Sequence, residues 1–162
     1  ERVRPSTRLN YMKKTDAKEE IPGKSRQAVE NIYEYCRKNN AKLVLISTPS
    51  TAYWNYKRHN SVAELAESLG VEYVDMNLIN DQVGIEWSTD TRGRGMHMNI
   101  YGARKCSAFL GAYLAKTEQF QDKRKDASYA DWFDALEAFN ESTDNALDRP
   151  SPEPEDNTKK AD

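Results

Sequence analysis

The sequence contains few of the residues that metal and redox sites require. Its 162 residues include only two histidines and two cysteines, and these do not have the close spacing of a zinc site. There is also no glycine-rich loop of the kind that cradles the phosphates of a nucleotide. We therefore expect no metal centre and no cofactor.

Long apolar runs are absent as well. No stretch approaches the roughly 18 apolar residues that a membrane-spanning helix needs, and the opening ERVRPSTR lacks the apolar segment of a signal peptide. We expect the chain as given to be soluble. Because it starts without a methionine, we also expect that an upstream segment or anchor has been removed.

The charges are nearly balanced, with 24 basic and 26 acidic residues and a net charge of -2. A chain without a basic field has no electrostatic footprint for nucleic acid or an anionic membrane, so we expect no nucleic-acid partner. The apolar content of 38% fits one globular domain. Cys36 and Cys106 lie on apolar faces of predicted helices, which favours buried free thiols over a disulfide.

Composition divides the chain into three parts. Residues 1–20 are basic and contain few apolar side chains, so we expect a lead-in that is loosely ordered or packs on a missing part. Residues 21–140 carry the periodic segments of an α/β domain. Residues 141–162 contain three prolines and no aromatic residue, which predicts a disordered acidic tail.

The middle part is predicted to contain a βαβ unit. A helix over 24–39 precedes the apolar run KLVLIST at 42–48, which is typical of a strand buried on both faces. Ser61 and Glu64 form a capping box for a helix that ends at Gly70, and VEYVDMN at 71–77 is the second strand. Because such crossovers join parallel strands, we predict an α/β fold, with GIEWST at 84–89 as a weak third strand.

One histidine stands directly before a strongly amphipathic helix. Asn99 is a good N-cap residue for a helix over about 100–115, and His97 lies in the loop at its start. An imidazole there can exchange protons near neutral pH, and Asp90 upstream can fix its tautomer. The spacing outlines a catalytic base, His97, with an orienting carboxylate, Asp90. A histidine in this position is more often a solvated or capping residue, and that alternative stays open on spacing alone.

The string H-M-N-x-x-G-A-x-K, preceded by a Trp-x-Thr-Asp segment, resembles the last motif block of the SGNH (GDSL-like) hydrolases. It is most similar to the cell-envelope branch of Gram-positive bacteria related to the D-alanyl transfer proteins. The resemblance covers residues 24 to about 140 and implies a three-layer, flavodoxin-like parallel sheet that is incomplete in this chain. It assigns the catalytic base to His97. The family's aspartate, three residues before that histidine, is replaced here by Arg94, which leaves Asp90 as the nearest upstream carboxylate.

The resemblance implies an ester hydrolase or acyltransferase that acts on an acylated cell-surface glycan or a similar ester, in an extracellular or envelope-anchored protein. No Gly-Asp-Ser-like segment follows an early strand, so the nucleophilic serine is expected in a missing N-terminal half of the same domain. Ser47 and Ser50 are weaker candidates because neither lies in a strand-turn-helix elbow. The alternative is a non-catalytic binding or scaffold domain that has lost the catalytic pair.

The remaining candidates surround the same predicted sheet edge. Tyr53 and Trp54, in the loop after the first strand, are able to stack on a sugar ring, and His59 is able to contact an anionic or glycan substrate. We assign these three residues and Asn99 to substrate binding. Packing of the aromatic rings in a lid and solvation of the loop charges remain open alternatives. Asp75, at the end of the second strand, is predicted to cap the following loop rather than to take part in catalysis.

Overall fold

A computed structural model describes residues 3–117 and 120–147 of the chain. The elements, in chain order, are α1 (Gly23–Lys38), β1 (Val44–Ser47), α2 (Tyr56–Leu69), β2 (Glu72–Asp75), α3 (Asn80–Val83), β3 (Thr91–Arg92), β4 (His97–Met98), α4 (Ile100–Thr117), a 3-10 turn (Ala127–Tyr129) and α5 (Ala130–Leu147). About half of the described residues are helical. The prediction of a mixed α/β class is confirmed.

The β1-α2-β2 unit is present as predicted. β1 and β2 pair in parallel, in a register that runs from Val44 opposite Glu72 to Ser47 opposite Asp75. The wider sheet is not observed, because the described residues form two separate two-stranded sheets and no three-layer, flavodoxin-like arrangement. Ile46 in β1 is exposed, so the expectation of a strand buried on both faces was wrong for this residue.

Helix α2 begins five residues earlier than its predicted capping box. Asn55 is the N-cap, and its side chain accepts a hydrogen bond from the Arg58 amide at 2.9 Å. Ser61 lies inside the helix, where its hydroxyl donates to the Lys57 and Glu19 carbonyls at 3.0 and 2.5 Å. Gly70 ends the helix in a left-handed conformation, as predicted.

The segment GIEWST does not form a strand. Its amides bond to side chains instead, since Ile85 N–H donates to Asn80 Oδ1 at 3.0 Å and Glu86 N–H donates to Asp90 Oδ2 at 2.8 Å. The next extended segments, β3 and β4, pair as a short antiparallel hairpin. His97 therefore begins a two-residue strand rather than lying in an open loop.

The main apolar cluster lies between the segment after β2 and α4. Its fully buried members are Met76, Val83 and Ile85. The half-buried side chains that pack against them are Ile79, Trp87, Met98, Cys106, Phe109 and Leu110. Cys36 and Cys106 are both free thiols, as expected, and both are half-buried. The cluster fixes α4 beside the residues that precede the hairpin.

The first twenty residues are not loosely ordered in the part that is described. Arg4 N–H donates to the Thr91 carbonyl and Ser6 N–H donates to the Trp87 carbonyl, both at 2.9 Å. Glu19 accepts from Arg58 at 2.7 Å, which ties the end of this segment to α2. The described part of this segment therefore contacts β3, the residues just before it and α2.

The C-terminal part also differs from the prediction. Helix α5 continues through residues 141–147, which composition had assigned to the tail, and residues 148–162 lie outside the described part of the chain. Its apolar residues Trp132, Leu136 and Phe139 are largely exposed. Among the described residues, no helix combines the length and apolar character needed to cross a bilayer.

Candidate functional site

The loop after β1 and the β3-β4 hairpin meet beyond the carboxyl end of β1. The Ser50 hydroxyl donates to the Gly95 carbonyl at 3.1 Å, and the Ala52 amide donates to the same oxygen at 3.4 Å. Within the hairpin, the Thr91 hydroxyl donates to the His97 carbonyl at 3.0 Å and accepts from the Gly95 amide at 2.9 Å. These bonds hold the hairpin against the loop, at the edge where α/β folds place their sites.

Only glycine fits at position 95 of this junction. Its φ of +89° lies in the region that L side chains rarely adopt, and an added Cβ would overlap the Thr51 hydroxyl. The Thr51 and Ser6 hydroxyls are themselves bonded at 2.5 Å, so the glycine lies against a buried polar pair. The hairpin backbone at Gly95 is therefore in close contact with the Thr51 and Ser6 side chains.

His97 is exposed and faces the loop after β1. Its ring centroid lies 6.2 Å from that of Tyr53, whose hydroxyl contacts the Met96 sulfur at 3.0 Å. Among the described residues, no side chain forms a hydrogen bond or an ion pair with the imidazole. Both ring nitrogens thus remain available for proton exchange with a ligand.

Asp90 does not orient this imidazole, because its carboxylate is bonded to other groups. It accepts from Lys105 Nζ at 2.6 Å, from the Glu86 amide at 2.8 Å and from the Thr89 hydroxyl at 3.0 Å. Burial alone would raise its pKa, but the Glu86 amide, the Lys105 ammonium and the Thr89 hydroxyl together lower the pKa below its usual value. In the described part of the chain no bond links Asp90 to His97.

Two other residues of the histidine motif have structural roles. Asn99 caps α4 as predicted, since its Oδ1 accepts from the Tyr101 and Gly102 amides at 3.1 and 3.2 Å. Its Nδ2 donates to the Thr89 carbonyl at 2.6 Å, and the residue is buried. Gly102 lies where a Cβ would overlap the Asp90 carbonyl, so the helix approaches Asp90 closely. Asn99 is therefore inaccessible to a substrate.

The second histidine lies in a different environment. His59 Nδ1 is 2.9 Å from Asp75 Oδ2, and the Asp75 side chain is only 2% exposed. In the neutral imidazole this geometry places the proton on Nδ1, which donates to the carboxylate. The His59 ring also stacks on Tyr73 and meets the edge of Tyr56, at centroid distances of 5.6 and 5.3 Å. His59 is half-buried within this cluster.

Asp75 accepts four further hydrogen bonds. Trp54 Nε1 and the Tyr73 hydroxyl donate to Oδ2 at 2.9 and 3.1 Å. The amide and Nδ2 of Asn77 donate to Oδ1 at 2.9 and 2.8 Å, which confirms that Asp75 caps the following loop. The network therefore contains Trp54 and His59, two of the four predicted substrate contacts.

Burial raises the pKa of Tyr73 well above its ordinary value, and the nearby Asp75 carboxylate raises it further, against the lowering effect of the Ser47 hydroxyl. The phenol therefore keeps its proton, which it donates to Asp75. The Ser47 hydroxyl, 2.9 Å from the same oxygen, must then act as the donor to Tyr73. Ser47 is thereby part of the Asp75 network.

The contacts at this edge differ from the predicted pair of His97 and Asp90. The structure brings Tyr53 to His97, and it brings Trp54 and His59 to Asp75. The pairing of His59 with Asp75 was missed. A signal for it was present, because Asp75 ends β2 and His59 lies in the first turn of α2, directly after the loop that leaves the neighbouring strand β1 at the same edge.

The described residues contain no group of three histidine, cysteine or carboxylate side chains that would hold a metal ion. Comparisons with protein-family models, with curated proteins and with solved structures each found no match to the chain. The family assignment therefore stays a prediction that depends on the motif residues.

Proposed function

We propose that this chain is part of an SGNH-type ester hydrolase or acyltransferase in which His97 is the general base. The observation that carries the proposal is the exposed imidazole at the carboxyl edge of the parallel strands, beside Tyr53. A base must reach the proton of its nucleophile directly, and this ring is open to solvent. Tyr53 is itself exposed and presents an aromatic face that suits an acylated glycan or a similar ester in the cell envelope.

The nucleophilic serine is proposed to come from an N-terminal half of the same domain. Of the two serines that end β1 and begin its loop, Ser47 donates to Tyr73, and Ser50 bonds to the Gly95 and Met96 carbonyls at 3.1 and 3.3 Å. Neither forms a hydrogen bond with His97. Both hydroxyls have structural partners, which favours a nucleophile from another segment.

The two-stranded sheet supports the same proposal. A pair of parallel strands is rarely stable alone, since parallel sheets are normally covered on both faces. Ile46 of β1 is exposed, and α1 has no buried residue. Additional strands and helices of a flavodoxin-like sheet would cover these apolar side chains.

A non-catalytic binding or scaffold domain is the second candidate, and one observation favours it. Asp90 is bonded to Lys105, the Glu86 amide and the Thr89 hydroxyl, so it has no role beside the imidazole. A triad that lacks its acid is a weaker catalyst. In this alternative, the exposed Tyr53 and His97 would bind a ligand without turnover.

The test uses the full-length protein and an activated acetyl ester, with acyl transfer to added glycans measured in parallel. Replacing His97 by Gln should reduce turnover about 10²- to 10⁴-fold, the contribution of general-base assistance. His59→Gln is the matched control, because it removes the chain's other histidine, whose ring is bonded to Asp75. Once folding has been verified by circular dichroism, it should change turnover only a few-fold.

Loss of turnover in His59→Gln, but not in His97→Gln, would assign the base to the Asp75 network and overturn the proposed role of His97. Absence of hydrolysis and transfer by the wild-type protein, together with saturable binding of an acylated glycan that the removal of Tyr53 weakens, would establish the binding domain instead.

A further inference from the structure

The β3-β4 hairpin lies in a stretch of the chain whose charged residues are all basic. Residues 91–117 contain no aspartate or glutamate but five basic residues: Arg92, Arg94, Arg104, Lys105 and Lys116. The whole chain has a net charge of -2, so this positive charge is local. Two of the five, Arg92 and Arg94, belong to the hairpin and are exposed.

The strand register places Arg92 beside His97. The two residues are directly opposite each other in the antiparallel β3-β4 pair. Directly opposed residues share one face of the sheet, with Cβ atoms about 4.5 to 5.5 Å apart. The guanidinium of Arg92 therefore extends from the face that carries the imidazole of His97.

No carboxylate neutralises this arginine pair in the described part of the chain. The two acids that immediately precede the hairpin, Glu86 and Asp90, both bond to Lys105, at 3.4 and 2.6 Å. Arg92 and Arg94 have no ion-pair partner among the described residues. Their charge is therefore available to an external anion.

The turn that carries Arg94 has an unfavourable backbone conformation for an arginine. Gly93, Arg94 and Gly95 all have positive φ values, of 65°, 58° and 89°. Glycine or asparagine adopts this region more easily than a long side chain. Such a residue, in a turn held rigidly against the neighbouring loop, favours a function for the arginine side chain.

We infer that Arg92, assisted by Arg94, forms an anion subsite next to His97 that selects ester substrates carrying a carboxylate or a phosphate. This inference rests on the proposed ester chemistry at His97. A guanidinium matches the planar geometry of a carboxylate and the oxygens of a phosphate, and its two parallel donors fix the ligand's orientation. An anion held at Arg92 would bring the adjoining ester to the imidazole.

The experiment compares three acetyl esters on the full-length protein: para-acetoxybenzoate, para-acetoxyphenyl phosphate and the neutral methyl para-acetoxybenzoate. Arg92→Gln should lower kcat/KM about tenfold or more for the anionic ester that the subsite prefers, chiefly through KM, and should leave the neutral ester unchanged. Arg37→Gln is the charge-matched control. Arg37 lies in the last turn of α1, the helix that leads into the amino end of β1, so its removal should affect no ester.

A binding measurement separates this inference from the proposed function. Benzoate or phenyl phosphate is titrated while the Arg92 Nε–H resonance is followed by NMR, and the ligand that shifts it identifies the preferred anion. A saturable shift that Arg92→Gln abolishes supports the subsite even if no ester is hydrolysed. Equal kcat/KM for all three esters in the wild-type and Arg92→Gln proteins, or no shift with either anion, would overturn the inference.

Discussion

Removing the Asp75 carboxylate should be among the most destabilising single changes in this chain. The side chain is 2% exposed and accepts hydrogen bonds from His59, Trp54, Tyr73 and, twice, from Asn77. In Asp75→Ala these donors lose their acceptor while they remain buried or half-buried. Each unsatisfied buried donor costs about 1 to 3 kcal/mol, although the costs are not additive. We expect a loss of about 3 to 5 kcal/mol in the free energy of unfolding.

Asparagine at the same position should cost less. Asp75→Asn keeps one oxygen that accepts from the Asn77 amide. Its new NH₂ group is a donor that faces the Trp54 indole N–H, and the indole is itself only a donor, so this hydrogen bond is lost. We expect a loss of about 1 to 3 kcal/mol. Asp16→Ala, at an exposed aspartate, is the control and should stay within about 0.5 kcal/mol of wild type.

Urea unfolding followed by circular dichroism measures these differences, and a thermal scan should show Asp75→Ala melting roughly 10 °C or more below wild type. The hydrogen bond between Trp54 and Asp75 also predicts that the effects of replacing these two residues are coupled. Trp54→Phe should destabilise the wild-type protein by about 1 kcal/mol or more and the Asp75→Ala protein by less, because the shared bond has already gone. An Asp75→Ala protein within about 1 kcal/mol of wild type would refute the network as a source of stability.

Two further predictions concern α4 and its neighbour Asp90. Gly102→Ala should lower the free energy of unfolding by about 1 to 3 kcal/mol, because the added methyl group overlaps the Asp90 carbonyl. Gly111→Ala, in the same helix, meets no atom and should raise the free energy of unfolding by about 0.5 to 1 kcal/mol. Equal effects of the two substitutions in urea unfolding would contradict the close approach of α4 to Asp90. The pKa of Asp90 is lowered in the folded state, so its contribution is present above the unfolded value of about 3.8 and is lost as the pH falls through the folded value. The stability difference between wild type and Asp90→Asn should therefore shrink as the pH falls below the unfolded value, and a difference that is constant with pH would refute the charged pairing with Lys105.

Local patterns in the sequence predicted the elements whose apolar spacing is regular. Helices α1 and α4 end within two residues of their predicted bounds, and both strands of the parallel pair were found. The start of α2 was missed because its apolar stripe begins several residues after its cap, Asn55. The prediction of a third strand was wrong because amides of GIEWST donate to the Asn80 and Asp90 side chains, and strand propensity does not account for such bonds.

Local roles of the candidate site residues were easier to predict than their contacts with one another. The cap role of Asn99 follows from local chemistry and was predicted. The separation of His97 from Asp90 was not, because Lys105 reaches Asp90 only once α4 has docked through Gly102. Likewise, His59 meets Asp75 only after α2 has carried the chain from β1 to β2. Such contacts depend on tertiary packing between distant segments, which local patterns in a single sequence do not indicate.

The role of His97 is tested most directly by the rate constant of acylation. The burst of leaving-group release from an activated acetyl ester should be measured by stopped flow for the full-length wild-type, His97→Gln and His59→Gln proteins. We predict that His97→Gln slows the burst about 10²- to 10⁴-fold, while His59→Gln changes it only a few-fold. A burst of undiminished rate in the folded His97→Gln protein would contradict the assignment of His97 as the base.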